Sequence, residues 1–119
     1  ILNAYNDPHG ITASFNLNLL ARINRELGAD FDISKFQHYQ TYDPVSGACK
    51  SYLVSLTEQI IHIAGHKFSF MENELIDMEI SQKYELQDID KLASNSGFQI
   101  VGQIQDSKNW FVDSVWQAL

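Results

Sequence analysis

Residues 11–31, "ITASFNLNLLARINRELGADF", constrain the fold most, because their apolar side chains repeat every four residues. The side chains that share this i, i+4 spacing are Phe15, Leu19, Ile23 and Leu27. Such spacing is typical of one face of an amphipathic helix, and Leu20 widens the stripe. Gly28 follows as a residue that commonly ends a helix. The pattern predicts a helix over residues 12–27.

The remainder of the chain alternates β-rich runs with a second helical segment. Two runs rich in aromatic and β-branched residues flank the turn-forming stretch "YDPVSG". Apolar side chains between Leu86 and Ala93 fall on one side of a helix that we expect over 86–96. The predicted strands cover 36–42, 50–57, 59–64, 98–105 and 110–117. We expect the first three to be antiparallel neighbours, and the fold to be α+β, with two amphipathic helices packed on a largely antiparallel sheet in a single domain, 1–119.

The last predicted strand is apolar on both of its sides. Its large apolar residues are Trp110, Phe111, Val112, Val115 and Trp116. A strand without a solvent-facing side is typical of the centre of a sheet or of a strand covered on both faces. We therefore expect one of these two positions for it.

The stretch "IDMEISQKY" alternates apolar and polar residues from 76 to 81. In an extended strand this places Asp77, Glu79 and Ser81 on one face and the apolar residues on the other. The polar face has two interpretations: a solvated face of an edge strand, or a carboxylate and a hydroxyl that hold an N–H-bearing ring or an ammonium group. Periodicity does not choose between them.

The charge balance excludes several classes of partner. Eight Lys and Arg stand against fifteen Asp and Glu, for a formal charge of −7, and the basic residues are scattered. Nucleic acid and anionic membranes need a basic footprint, so neither is expected as a partner. Because no apolar run reaches the roughly 20 residues that span a bilayer, we expect a cytoplasmic protein.

Cysteines, histidines and glycines predict neither a metal site nor a nucleotide site. Cys49 is the only cysteine, so no internal disulfide is possible, and we expect a buried or half-buried residue near a strand rather than a reactive thiol. His62 and His66 have the spacing of metal ligands on a helix, but they lie in a β-rich stretch. The six glycines are far apart and form no phosphate-binding loop.

Three stretches carry a resemblance to a known family: "YNDPHGITASFNLNLLARINRELGADFD", "YLVSLTEQIIHI", and "IDMEISQKY" followed by a helix and "SGF". They resemble the C-terminal part of the histidine-specific, S-adenosylmethionine-dependent N-methyltransferases of ergothioneine biosynthesis, over nearly the whole chain. The resemblance implies part of a class I, Rossmann-like methyltransferase whose N-terminal half, with the glycine-rich cofactor loop, is missing here. S-adenosylmethionine would be the cofactor of the parent, and no cofactor is expected in the fragment.

The same resemblance implies a set of substrate-binding residues. Glu79 and Ser81 would contact the imidazole of histidine, and Asn16 would contact the α-amino or carboxylate end. Gly10 and Tyr52 are carried over as further substrate-binding residues. For Asn16 the alternative is a polar residue on the surface of the helix. No residue of this chain is expected to act as a nucleophile.

Two functional hypotheses therefore remain. The first is a C-terminal fragment of an amino-acid N-methyltransferase that acts on the α-amine of histidine or a related amino acid, inactive alone. The second is a non-catalytic α+β ligand-binding or association module. We also expect the isolated chain to self-associate, because the helical stripe and Trp110, Val112 and Trp116 would lack cover.

Overall fold

The computed structural model describes residues 8–119. The described chain divides into two compact units, one up to Gln82 and one from Lys83 onward. Its helices are α1 (Ile11–Leu27) and α2 (Leu86–Asn95), and a short 3₁₀ turn covers Ile33–Lys35. Its strands are β1 (Phe36–Asp43), β2 (Ala48–Ser55), β3 (Gln59–Ile63), β4 (His66–Phe70), β5 (Leu75–Gln82), β6 (Phe98–Gln105) and β7 (Val112–Ala118). The predicted positions of both helices and of β1 and β6 are confirmed within a residue.

The buried face of helix α1 differs from the predicted apolar stripe. Asn16 and Leu20 are its buried residues, and Ile23 packs against the same core. Phe15 is 73% exposed and Leu27 is 55% exposed. The i, i+4 spacing therefore predicted the helix correctly but not its inward face, since α1 carries apolar side chains on two sides.

The first sheet has the strand order β1-β2-β5, and both pairs are antiparallel. Helix α1 covers one of its faces, and the core of this unit lies between them. The buried members of that core are Leu20, Phe31, Phe36, Leu53 and Ile61. The ring centroids of Phe31 and Phe36 lie 5.6 Å apart in an edge-to-face arrangement, which suits aromatic quadrupoles. Cys49 is buried in β2, as expected.

Strand β3 does not join the first sheet, so its predicted place as a neighbour of β2 is wrong. It pairs instead with β4, a strand that the sequence pattern did not reveal. A two-residue turn joins the two strands, with Ala64 at φ 48° and Gly65 at φ 81°. Two positive φ angles match the twist of a tight hairpin. Alanine rarely adopts such a conformation, which is why the turn was not predicted.

The second unit consists of α2 and the antiparallel pair β6–β7. The backbone N–H of Glu85 donates to Asp88 Oδ2 at 3.0 Å and thereby satisfies a donor at the start of α2. In the described part of the chain β7 pairs with β6 alone, so it is not at the centre of a sheet. Val115 of β7 is 50% exposed, so the alternative of a strand covered on both faces is wrong as well.

The antiparallel strands of the described part of the chain thus form three separate sheets and not one. Within residues 8–119, neither helix combines the length and the apolar character that crossing a bilayer requires.

Candidate functional site

A β-bulge in β5 decides which way its polar side chains point. Asp77 pairs with Tyr52, but the next residue of β2, Ser51, pairs with Glu79. Met78 is therefore an extra residue that has no opposite partner. Bulges of this kind change the direction of the side chains that follow them.

The bulge breaks the predicted alternation of β5. Residues opposite each other in adjacent strands project to the same face, so Glu79 shares a face with Ser51, and Ser81 shares a face with Cys49. Asp77 projects to the other face together with Tyr52. The expectation that Asp77, Glu79 and Ser81 share one face is wrong for Asp77.

Glu79 and Ser81 project to the face of the sheet that α1 covers further along. That face of β2 carries Cys49, Ser51 and Leu53, which are 2%, 3% and 0% exposed. Leu53 belongs to the core together with Leu20 of α1. Because β5 is at the edge of this sheet, Glu79 itself is exposed. A carboxylate at such a position can reach a ligand without first breaking an ion pair.

A row of polar side chains crosses all three strands at the level of Glu79. Gln40 of β1 is opposite Ser51, and Ser51 is opposite Glu79. Ser51 Oγ donates a hydrogen bond to Gln40 Oε1 at 2.7 Å. Gln40 Nε2 is buried and has no hydrogen-bond partner. Gln40 and Ser51 were not predicted as site residues, although the alternation of β1 and β2 could have placed them on the inner face.

Asn16 is 3% exposed, so the alternative of a residue on the helix surface is wrong. It lies one turn before Leu20 on the buried side of α1. Its Nδ2 donates to the carbonyl oxygen of Thr12 at 3.0 Å, which fixes the direction of the amide. Asn16 therefore lies on the side of α1 that packs on this face of the sheet.

Neither Gly10 nor Tyr52 contributes a side chain to the polar row. Gly10 precedes α1 with φ 69°, a left-handed conformation that glycine adopts without strain, and contributes only backbone. Tyr52 projects to the opposite face of the sheet from Glu79 and Ser81. There its ring centroid lies 6.4 Å from that of Tyr39. The structure therefore groups Glu79 and Ser81 and separates Tyr52 from them.

His62, one of the two histidines with the spacing of metal ligands, contacts Asp30. Asp30 Oδ1 accepts from the backbone N–H of His62 at 2.6 Å, and Asp30 Oδ2 lies 2.9 Å from His62 Nδ1. The bond from this backbone N–H, followed by that of the ring, lowers the pKa of Asp30. Across residues 8–119 no three His, Cys, Asp or Glu side chains come together as metal ligands would.

A depression of about 330 Å³ borders the bulge. It is lined by Lys50, Asp77, Met78, Glu79 and Ile80. Asp77 and Glu79 can accept hydrogen bonds here, and the ammonium group of Lys50 can donate them, so the depression offers both acceptors and a donor.

The chain is similar to one described family and to several known proteins. A family model described as histidine-specific, S-adenosylmethionine-dependent methyltransferase matches residues 1–118. The chain is 33% identical over 91 residues to a histidine N-alpha-methyltransferase of Mycolicibacterium smegmatis, across 75% of this chain and 28% of that protein. It is 36% identical over 89 residues to the protein of the same name in Mycobacterium tuberculosis, across 73% of this chain and 28% of that protein.

A fungal protein gives a third match. Ergothioneine biosynthesis protein 1 of Schizosaccharomyces pombe is 29% identical over 105 residues, which is 87% of this chain and 14% of that protein. The chain thus spans less than a third of the length of each of these curated relatives.

Proposed function

Because the chain belongs to the histidine-specific, S-adenosylmethionine-dependent methyltransferase family, we propose that it is the substrate-binding C-terminal part of an amino-acid N-methyltransferase. The substrate would be histidine or a related amino acid, methylated on its α-amine. The observation that carries this proposal is the bulge of β5, which turns Glu79 and Ser81 together toward the α1 side of the sheet.

Glu79 and Ser81 are suited to the ring of such a substrate. The two ring nitrogens of imidazole can both donate when the ring is charged, and one donates and one accepts when it is neutral. A carboxylate accepts from a ring N–H with a charge-assisted bond, and a hydroxyl can donate or accept at the other nitrogen. Asn16, buried and fixed by Thr12, supports the proposal by offering an amide for the α-amino or carboxylate end.

The contribution of this chain to the reaction would be to hold the amine in place. When bound, S-adenosylmethionine supplies a methyl group on a positively charged sulfur. The α-amine must be neutral, so that its lone pair can form the new N–C bond. Fixing the ring and the carboxylate end orients that lone pair, and such positioning can supply much of the rate. None of the residues above needs to act as a nucleophile.

The described residues do not fit the methyl donor. A class I, Rossmann-like fold binds its cofactor at a glycine-rich turn that follows a parallel strand. The strands of residues 8–119 pair only antiparallel. We therefore propose that the donor is bound by other residues of a parent protein with that fold. We expect the isolated chain to show no methyltransferase activity and no S-adenosylmethionine binding in calorimetry.

Histidine binding to the complete polypeptide of the reading frame, measured by isothermal titration with and without S-adenosylhomocysteine, tests the proposal. Glu79→Gln removes the charge from the acceptor and should weaken histidine binding roughly 10- to 100-fold. Asp77→Asn is the matched control, since it makes the same chemical change two residues away on the opposite face. Equal losses in both variants, or no binding of histidine by the unaltered protein, would contradict the proposal.

Self-association of the isolated chain is a second part of the proposal. Its support is the exposure of large apolar side chains, among them Phe15 at 73%, Trp110 at 73% and Phe111 at 76%. Burial of about 600 Å² of apolar surface would contribute on the order of 15 kcal/mol before the cost of association. We expect a dimer or larger assembly at micromolar concentration. Sedimentation as a monomer of 13.6 kDa at a concentration of about 100 μM would contradict it.

A cytoplasmic location belongs to the same proposal. Its support is that this sequence, with Cys49 as its one cysteine, has no internal disulfide of the kind that oxidising compartments favour.

A further inference from the structure

Strand β7 has a free edge. It pairs with β6 along one side, and no strand among residues 8–119 pairs with its other side. The backbone N–H and C=O groups on that side are a template for one more strand. The sheet that β6 and β7 form in the described chain has two strands, and such a sheet is marginally stable in water without further cover. Pairing at this edge would therefore stabilise the second unit.

The two edges of this sheet differ in regularity. In β6, Val101 is an extra residue between two pairs of the register and forms a bulge, whereas β7 is continuous through the same region. Bulges are one means by which proteins block the pairing of edge strands. Proline and lysine are others, and β7 contains neither, with Asp113 as its one charged residue. The edge of β7 is therefore the more suitable of the two for pairing.

The residues of β7 are complementary to their own reversed order. An antiparallel pair of two β7 strands from two copies, centred on Val115, places uncharged or apolar side chains opposite each other at every position but one. At that position Asp113 faces the amide of Gln117, so no two carboxylates are opposed. The opposed pairs are Val112 with Ala118, Asp113 with Gln117, and Ser114 with Trp116.

The apolar side chains at the centre and at the ends of this pair are exposed. Val115 is 50% exposed, Phe111 is 76% exposed and Leu119 is 84% exposed. Phe111 precedes β7 and Leu119 follows it, so in the same pairing Phe111 of one copy lies opposite Leu119 of the other at each end. A valine pair at the centre and an apolar pair at both ends remove apolar surface from water.

We propose that two copies of the chain pair antiparallel through their β7 edges about Val115, which joins their two-stranded sheets into one sheet of four strands. This inference rests on the self-association proposed above and names its surface. Each copy offers the same strand, so a two-fold axis relates them. Both β7 edges are then occupied and both β6 edges carry the bulge, so the assembly stops at a dimer. The formal charge of −7 on each copy opposes the pairing, but physiological salt screens it over about 8 Å.

Sedimentation of the 119-residue chain and of its variants Val115→Lys and Val115→Glu tests the inference. In either variant alone the two-fold axis opposes two like charges, which should raise the dimer Kd at least about 10-fold. In an equimolar mixture of the two variants the opposed charges have opposite sign, so a dimer with one copy of each should form again. Val115 is half exposed, so both variants should fold, and far-UV circular dichroism checks this.

Ile104→Lys is the matched control, since Ile104 is 67% exposed on β6 and lies on the same face of the sheet as Val115. It should change the dimer Kd less than about threefold. Phe15→Lys makes the same change on α1, the other exposed apolar surface, and should also change the Kd little.

Unchanged association of Val115→Lys, or a mixture of the two Val115 variants that remains monomeric, would overturn the pairing through β7. If Phe15→Lys gives monomers and Val115→Lys does not, the copies associate through α1, and the pairing is wrong while self-association stands. If the unaltered chain is itself a monomer at about 100 μM, self-association and the pairing are both wrong. The histidine titration described above decides the substrate-binding proposal separately.

Discussion

The two units of the chain contain the same kinds of element but differ in what holds those elements together. In the unit that ends at Gln82, α1 and the sheet enclose Leu20 and Leu53, which are 2% and 0% exposed. Among residues 83–119, all of which the structure describes, Ala93 is the one buried apolar side chain. A groove of about 470 Å³ lies open between α2 and β6.

Local hydrogen bonds define the second unit where burial does not. Asp106 Oδ1 accepts from the backbone N–H groups of Trp110 and Phe111 at 2.6 and 2.9 Å, which fixes the turn between β6 and β7. Lys108 Nζ lies 4.9 Å from the centre of the Trp110 ring. Such contacts select one conformation but remove little apolar surface from water. The second unit shows that a segment can have a well-specified fold without having a large buried core of its own.

The largest effect is expected from a substitution in the core of the first unit. Leu53→Ala removes a fully buried side chain and should lower the free energy of unfolding by about 2 to 5 kcal/mol. Ile104→Ala is the control from the second unit, where Ile104 is 67% exposed, and it should cost less than about 1 kcal/mol. Urea unfolding followed by far-UV circular dichroism measures both. Similar losses in the two variants would show that the second unit is packed as tightly as the first.

A smaller effect is expected from the turn of the second unit. Asp106→Ala leaves the N–H groups of Trp110 and Phe111 without their acceptor, so the amides of β6 and β7 should exchange with solvent several-fold faster. Amides of β1 and β2 should keep their rates. Asp113→Ala serves as the control, because it removes an exposed carboxylate of β7 outside the turn. Hydrogen exchange measured by mass spectrometry would contradict the prediction if Asp113→Ala accelerated exchange as much.

Acid should affect both units through carboxylates with lowered pKa values. The backbone N–H of Phe111, followed by those of Lys108 and Trp110, lowers the pKa of Asp106, and His62 lowers that of Asp30. A lowered folded-state pKa stabilises the fold above the unfolded value near 3.9. This stabilisation is lost as the pH falls through the folded-state pKa. Tryptophan fluorescence between about pH 6 and 2 should therefore change below about pH 4, and less so in Asp106→Ala.

The smallest effect is expected on the surface of α1. Arg22 Nε lies 2.9 Å from Glu26 Oε1, and both side chains are about half or more exposed. Exposed pairs of this kind contribute little, because water and salt screen them. Glu26→Gln should leave the thermal midpoint unchanged within error. A clear decrease at low salt that disappears at high salt would show that the pair contributes more than expected.

The sequence by itself determined where most elements lie. Helical spacing located α1 and α2, and alternation located β1 and β6, because these periods are set by the geometry of the local backbone. The resemblance carried by "GITASFNLNLL" and "MEIS" also required only sequence. The turn at Ala64 and Gly65, and with it β4, was not predicted, because an alanine rarely adopts the positive φ angle that the first turn position has here.

Tertiary structure alone decided which side chains face each other. The bulge at Met78 is fixed by hydrogen bonds to β2, and it separates Asp77 from Glu79 although the sequence alternates regularly through both. Likewise, Asn16 is buried because α1 is rotated so that Leu20, on the same side of the helix, joins the core that contains Leu53. Strand register and helix rotation depend on partners distant in sequence, and a shift of one residue moves a side chain to the opposite face. Glu79 and Ser81 could therefore be named from a sequence resemblance, but the strand register that aligns Gln40, Ser51 and Glu79 could not be predicted.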